Sequence, residues 1–185
     1  EGASVAICAR TETAITAKGK ELEELGAKDV IARSVDVSNT EQVRAFVAEV
    51  AQRWGGVDVL VNNAGQGKAG NLETLEPEDM LDHANYLQVA HFRFVQACAP
   101  HMRAQQWGRI VNINALNGTM APPGGFTTVA NRAAGIALSR SLGQALAKDN
   151  ILVNSLNMGW IDTGQWERHY INDMPKTISR TEFYD

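Results

Sequence analysis

Short apolar runs alternate along this chain with longer stretches of helical periodicity. Val5-Ala6-Ile7-Cys8-Ala9 is a continuous apolar run, the pattern of a strand buried on both faces. Residues 11–26 read as a helix that stops at Gly26. A second strand covers Val30 to Val35. Ser38 is placed to cap a helix over about 39–54, which Gly55-Gly56 ends. The third strand is Val57 to Val61. Pro77 stands in the first turn of a long helix over about 77–104. Arg109 to Ile113 is the fourth strand, residues 126–148 form a helix rich in Ala and Leu, and Ile151 to Leu156 is the fifth strand. Strands separated by helical crossovers predict an α/β fold: a doubly wound, Rossmann-like parallel sheet in three layers. No repeat, low-complexity stretch or linker interrupts the pattern, so residues 1–185 read as one domain.

Composition narrows the function classes. Hydrophobic residues make up 44% and charged residues 21% of the chain, an ordinary globular balance. Net charge is -4, which argues against nucleic acid as partner, because phosphate binding wants a basic surface. The two cysteines, Cys8 and Cys98, have no metal-ligand spacing and fit a reducing, cytoplasmic compartment. No apolar run reaches the ~18 residues of a membrane span, so no membrane partner is expected. Glu1-Gly2-Ala3-Ser4 leads directly into a strand pattern, with no leader-like segment.

In a doubly wound sheet, ligands bind beyond the carboxyl ends of the strands. The informative residues are therefore Ala9-Arg10, Asp36-Val37, Asn62-Asn63-Ala64-Gly65, Asn114-Ala115 and Gly159-Trp160-Ile161. Asn62-Asn63-Ala64-Gly65 directly follows a strand. The run Val153-Asn154-Ser155-Leu156-Asn157-Met158-Gly159-Trp160-Ile161-Asp162-Thr163 has the form V-N-s-x-x-P-G-x-x-x-T, with Met158 at the proline. These strand ends resemble those of the short-chain dehydrogenase/reductase superfamily. The resemblance implies an NAD(P)(H)-dependent oxidoreductase acting on a small molecule as a homo-oligomer. Asp36 and Val37 would lie against adenine and Asn63, Ala64 and Gly65 along the adenosine. Gly159, Ile161 and Thr163 would meet the nicotinamide end and the phosphates.

The resemblance also exposes gaps. The family begins with a strand and glycine-rich turn that cradle the pyrophosphate. Glu1-Gly2-Ala3 looks like the end of the helix after that unit. The first and last strands of the family are thus expected to be missing, and the chain reads as a fragment. The position of the NAD-selecting acid is Ala9, followed by Arg10. A guanidinium there suits a 2′-phosphate, so NADP is favoured and NAD stays open.

The family's chemistry uses a tyrosine, a lysine four residues later, a serine thirteen residues before the tyrosine and an asparagine on the preceding helix. Arg132-Ala133-Ala134-Gly135-Ile136-Ala137-Leu138-Ser139-Arg140-Ser141-Leu142 resembles the helix that follows the family's lysine. That alignment puts Arg132 at the lysine, Thr128 at the tyrosine and Ala115 at the serine. Pro100-His101-Met102 anchors Leu87 at the asparagine. All four depart from the pattern. His91, one turn after Leu87, and His169 and Tyr170 are the remaining proton-carrying candidates. Three functions stay open: an oxidoreductase with a degenerate active site, a catalytically inactive nucleotide-binding or scaffold homologue, and an oligomerisation subunit.

Overall fold

The computed structural model describes residues 2–65, 68, 70–159, 161, 167, 170–172 and 178–184. Strands β1 (Ser4–Ala9) and β2 (Asp29–Ser34) flank helix α1 (Glu12–Glu24). Helix α2 (Thr40–Trp54) leads to β3 (Val59–Asn62). Helices α3 (Pro77–Ala84) and α4 (Ala90–Ala104) come next, joined by a π-turn at Asn85–Val89. Then follow β4 (Gly108–Ala115), α5 (Phe126–Leu146) and β5 (Ile151–Met158). A short helix, Arg180–Tyr184, lies near the end of the chain.

The expected parallel pairing holds wherever strands meet. β1 pairs with β2, and β3, β4 and β5 form a three-stranded sheet in that order. The third strand starts two residues later than the sequence pattern suggests, at Val59 rather than Val57. β1 and β3 each leave one edge unpaired among the described residues, and a crevice of about 1090 Å³ lies between them.

Helices cover both faces of the β1–β2 pair. Neighbouring residues of a strand point to opposite faces. Ile31 packs into the core with Val43, Phe46, Val47 and Val50 of α2. On the other face, a β-carbon added at Gly19 of α1 would stand 2.9 Å from that of Ala32. Gly19 thus lets α1 sit close on the strand. The β3–β5 sheet is covered on one face by α4 and α5, whose Phe94, Met102 and Leu146 meet Leu60, Ile110 and Ile151. On its opposite face Val59, Val61, Leu152 and Leu156 are exposed. The three layers are therefore complete at β1–β2, and two layers stand at β3–β5 among the described residues.

Two local expectations change. Ser38 is not the helix cap. Its hydroxyl and amide both donate to the Asp36 carboxylate, at 2.7 and 2.9 Å, and Asn39 caps α2 by accepting from the Gln42 amide at 3.0 Å. The single helix over 77–104 is broken by the π-turn. A π-turn disturbs the regular carbonyl ladder, and Arg93 supplies the replacement donors. Its guanidinium reaches the carbonyl and side-chain oxygens of Asn85, at 3.2 and 2.7 Å, and the Thr40 hydroxyl at 2.9 Å.

Candidate active site

Two groups of strand-end residues face the carboxyl side of the sheet. The first lines the crevice and includes Arg10, Val37, Asn63, Ala64 and Gly65. The end of β1 is fixed to that of β2. Val35 donates its amide to the Ala9 carbonyl at 3.0 Å, and the Ser34 hydroxyl donates to the Arg10 carbonyl at 2.9 Å. The Arg10 guanidinium stands at the crevice, 5.2 Å from the centre of the Tyr86 ring. Asp36 is held below its ordinary carboxylate range, first by the two Ser38 hydrogen bonds and further by the charges of Arg10 and Arg93.

Asn62 and Gly65 set the path of the chain leaving β3. The buried Asn62 amide donates to Asn112 at 2.8 Å, and Asn112 donates to the Ser139 hydroxyl at 2.9 Å. This relay ties β3, β4 and α5 together without leaving a buried amide unpaired. Gly65 has φ +143, and a β-carbon there would come within 2.6 Å of Leu87. Glycine is what lets the backbone pass over the π-turn.

The second group lies where β4 meets α5. Ala115 ends β4 and pairs with Met158 at the end of β5. Gly159 follows, within 3.5 Å of Leu116 if it carried a β-carbon. Arg132 donates to the Ile113 carbonyl at 2.6 Å. Its pKa is lowered from the ordinary value by burial. Thr128 sits half-buried one turn earlier on α5, and Ile161 is exposed. Thr163 and His169 lie outside the described residues. The Tyr170 hydroxyl donates to the Ile178 carbonyl at 3.2 Å.

Comparison with known proteins decides the family. The description "short chain dehydrogenase" matches residues 1–172. The chain belongs to the short-chain dehydrogenase family. It is 34% identical, over 174 residues, to a protein of Streptomyces violaceoruber assigned as ketoacyl reductase 1 of the granaticin polyketide synthase. That match covers 91% of this chain and 64% of the relative. Among solved structures, L-sorbose reductase of Gluconobacter frateurii, complexed with NADPH and L-sorbose, superposes with a TM-score of 0.87. It is 30% identical, over 94% of this chain and 68% of that one. Gluconate 5-dehydrogenase of Burkholderia cenocepacia, in complex with NADP and tartrate, gives 0.82 at 29% identity, over 91% and 65%. The chain thus spans about 64% of the length of its Streptomyces relative.

Leu87, Ala115, Thr128 and Arg132 are the residues that the sequence pattern sets against the family's asparagine, serine, tyrosine and lysine. Leu87 is fully buried in the π-turn, against Gly65. The sequence reading singled out His91 but missed His83. Both line the crevice wall, both are buried, and no ring nitrogen of either has a partner. The missed signal was their spacing: eight residues apart, each four from Leu87, so all three belong to one helical stripe. The described residues hold no group of three or more His, Cys, Asp or Glu side chains suited to a metal ion. Among the same residues, no helix is long and apolar enough to cross a membrane.

Proposed function

We propose that this chain forms the nucleotide-binding part of an NADP(H)-linked oxidoreductase whose proton-transfer group is altered. The observation that carries the reading is the placement of Arg10. It stands at the end of β1, on the crevice wall that also holds Val37, Asn63, Ala64 and Gly65. Ala9 precedes it where an NAD-selecting carboxylate would sit. Asp36 and Val37 would contact the adenine side, and Gly65 would let backbone approach the adenosine. Gly159 and Ile161, with Arg132, would border the nicotinamide half, and Thr163 belongs to the same set by sequence. The solved relatives do not divide the two cofactors, since a xylitol dehydrogenase holds NAD+ beside the two that hold NADPH and NADP, so the preference rests on Arg10.

A nicotinamide held here would supply hydride to a small carbonyl substrate, and the protein's part would be to position it and deliver a proton. Here the residues depart from the family. A threonine hydroxyl is shorter than a phenol and far less acidic. Ala115 has no hydrogen-bonding side chain. Arg132 keeps its charge, but one of its donors is committed to the Ile113 carbonyl. Leu87 has no polar atom with which to hold a water. A single well-placed general acid is worth ~10²–10⁴ in rate.

These four positions favour a second reading, a nucleotide-binding homologue without catalysis. One experiment separates the two. NADPH binding is followed by fluorescence, and hydride transfer to a panel of ketones by absorbance. Binding with turnover supports the first reading, binding without turnover the second, and neither overturns both. We also propose a homo-oligomer, because Leu81, Val89 and Phe92 on the segment over 77–104 and Phe126 on α5 expose apolar surface. Light scattering tests it, and a monomer would overturn it.

A further inference from the structure

Just beyond the end of β4, the side chains that meet solvent are apolar. Leu116, Met120 and Ile161 are 44%, 71% and 43% exposed. They belong to one place in the fold. The amides of Thr119 and Met120 both donate to the Leu116 carbonyl, at 2.8 and 2.9 Å, so the chain turns back on itself between Leu116 and Met120. A β-carbon at Gly159 would stand 3.5 Å from the Leu116 Cδ1, and Ile161 follows two residues later. Met158, half-buried, pairs in register with Ala115.

This apolar patch borders the candidate reaction centre. A β-carbon at Gly118 would come within 2.8 Å of the Arg132 backbone and 2.9 Å of its Cβ, so the turn lies directly against α5 at Arg132. Ala115 immediately precedes Leu116, and Thr128 stands one turn before Arg132. The patch itself offers few hydrogen bonds. The Thr119 hydroxyl is committed to the Leu116 carbonyl at 2.8 Å, and the Asn117 amide oxygen is buried. A molecule rich in hydroxyl groups would give up hydrogen bonds to water here and regain few. An alkyl chain gives up none and takes apolar surface out of water. Clustered exposed apolar side chains of this kind mark an interaction site, and the continuity with Ala115, Thr128 and Arg132 makes it part of a substrate site.

We propose that Leu116, Met120, Met158 and Ile161 seat the alkyl chain of a carbonyl substrate, and that the site selects against polyhydroxylated compounds. The carbonyl end is assigned by the oxidoreductase reading, on which the inference rests in that respect. The seat for the chain is a property of the four side chains themselves. Each added methylene that the seat covers tightens binding about two- to fourfold, and the gain levels off once the chain outgrows the patch.

The test follows isotope-labelled methionine methyl groups by NMR while the protein is titrated with straight-chain methyl ketones of four, six and eight carbons and, separately, with fructose. Each titration is run with and without NADPH. Met120→Leu and Met158→Leu assign the two signals at the patch, and Met102→Leu assigns a third from the core, where that residue is fully buried. The expected result is movement of the Met120 and Met158 signals with Met102 still, at concentrations that fall along the ketone series, and no movement with fructose. Leu116→Gln changes an exposed position, so the fold should survive, as circular dichroism checks, while binding of the eight-carbon ketone weakens about fivefold or more. NADPH fluorescence on the same samples separates the two claims. Ketone binding without NADPH binding supports the alkyl seat and sinks the oxidoreductase reading, whereas NADPH binding with still Met120 and Met158 signals does the reverse. Equal affinity along the ketone series overturns the seat, as does fructose binding as tight as that of the longest ketone. Undiminished ketone binding in folded Leu116→Gln overturns it too. Patch signals that shift on dilution alone would show that a second copy covers the patch, with the same consequence.

Discussion

The Arg10 guanidinium lies over the Tyr86 ring, 5.2 Å from its centre. Residues far apart in sequence meet there, because β1 and the π-turn end at the same side of the crevice. A guanidinium stacked on a ring keeps donors available at its edge. If Arg10 reads a 2′-phosphate, Arg10→Ala weakens NADPH binding by about tenfold or more and leaves NADH binding nearly unchanged. Fluorescence titration of both nucleotides checks this. Equal wild-type affinities would sink the assignment.

Catalysis is predicted to be slow for want of a proton donor. The unmodified protein should reduce generic ketones far below an ordinary turnover of ~1–10³ per second. The combined change Thr128→Tyr, Arg132→Lys and Ala115→Ser should create or raise activity. Ordinary turnover by the wild type would refute the argument, and single substitutions of His91, His169 and Tyr170 would then locate the donor.

Acid should destabilise the fold through His91. Burial first, and the Arg132 charge second, pushes its pKa down to about 4. In the unfolded chain the ring titrates near 6.5. Between these values the unfolded state binds more protons, so stability falls as pH drops from about 6.5 to about 4. The loss amounts to about 3 kcal/mol. His83, shifted in the same direction, adds to it. Urea unfolding across this range should show the decline, and His91→Phe should flatten it. An unchanged slope in that variant would rule out His91 as the source.

Gly65 and Leu87 should be energetically coupled. Gly65→Ala forces a side chain into φ +143 and against the Leu87 methyl, a cost of about 1–3 kcal/mol. Leu87→Ala opens a cavity in a fully buried position and costs about 2–5 kcal/mol. The double variant should lose less than the two changes added, because the cavity accepts the new methyl. Strict additivity in denaturant melts would show that the contact is not limiting.

The five parallel strands and the helices between them were legible in the sequence because each depends on local periodicity. Apolar runs such as Val5–Ala9, and stripes such as those over 39–54, report which residues must leave water wherever the rest of the chain goes. The strand-end residues Asn62 to Gly65 were also legible, since their turn chemistry follows a strand directly. Ser38 was misread as a cap because Ser and Asn are equally good there, and only the Asp36 carboxylate decided between Ser38 and Asn39. The π-turn was hidden because its stabilising donor, Arg93, comes from the next helix. The burial of His83 and His91 was decided by packing alone. Sequence shows that a histidine has a given neighbour along its own helix. Which helix faces it, and whether its nitrogens find partners, depends on how α3 and α4 dock against α5, and that is a property of the tertiary fold.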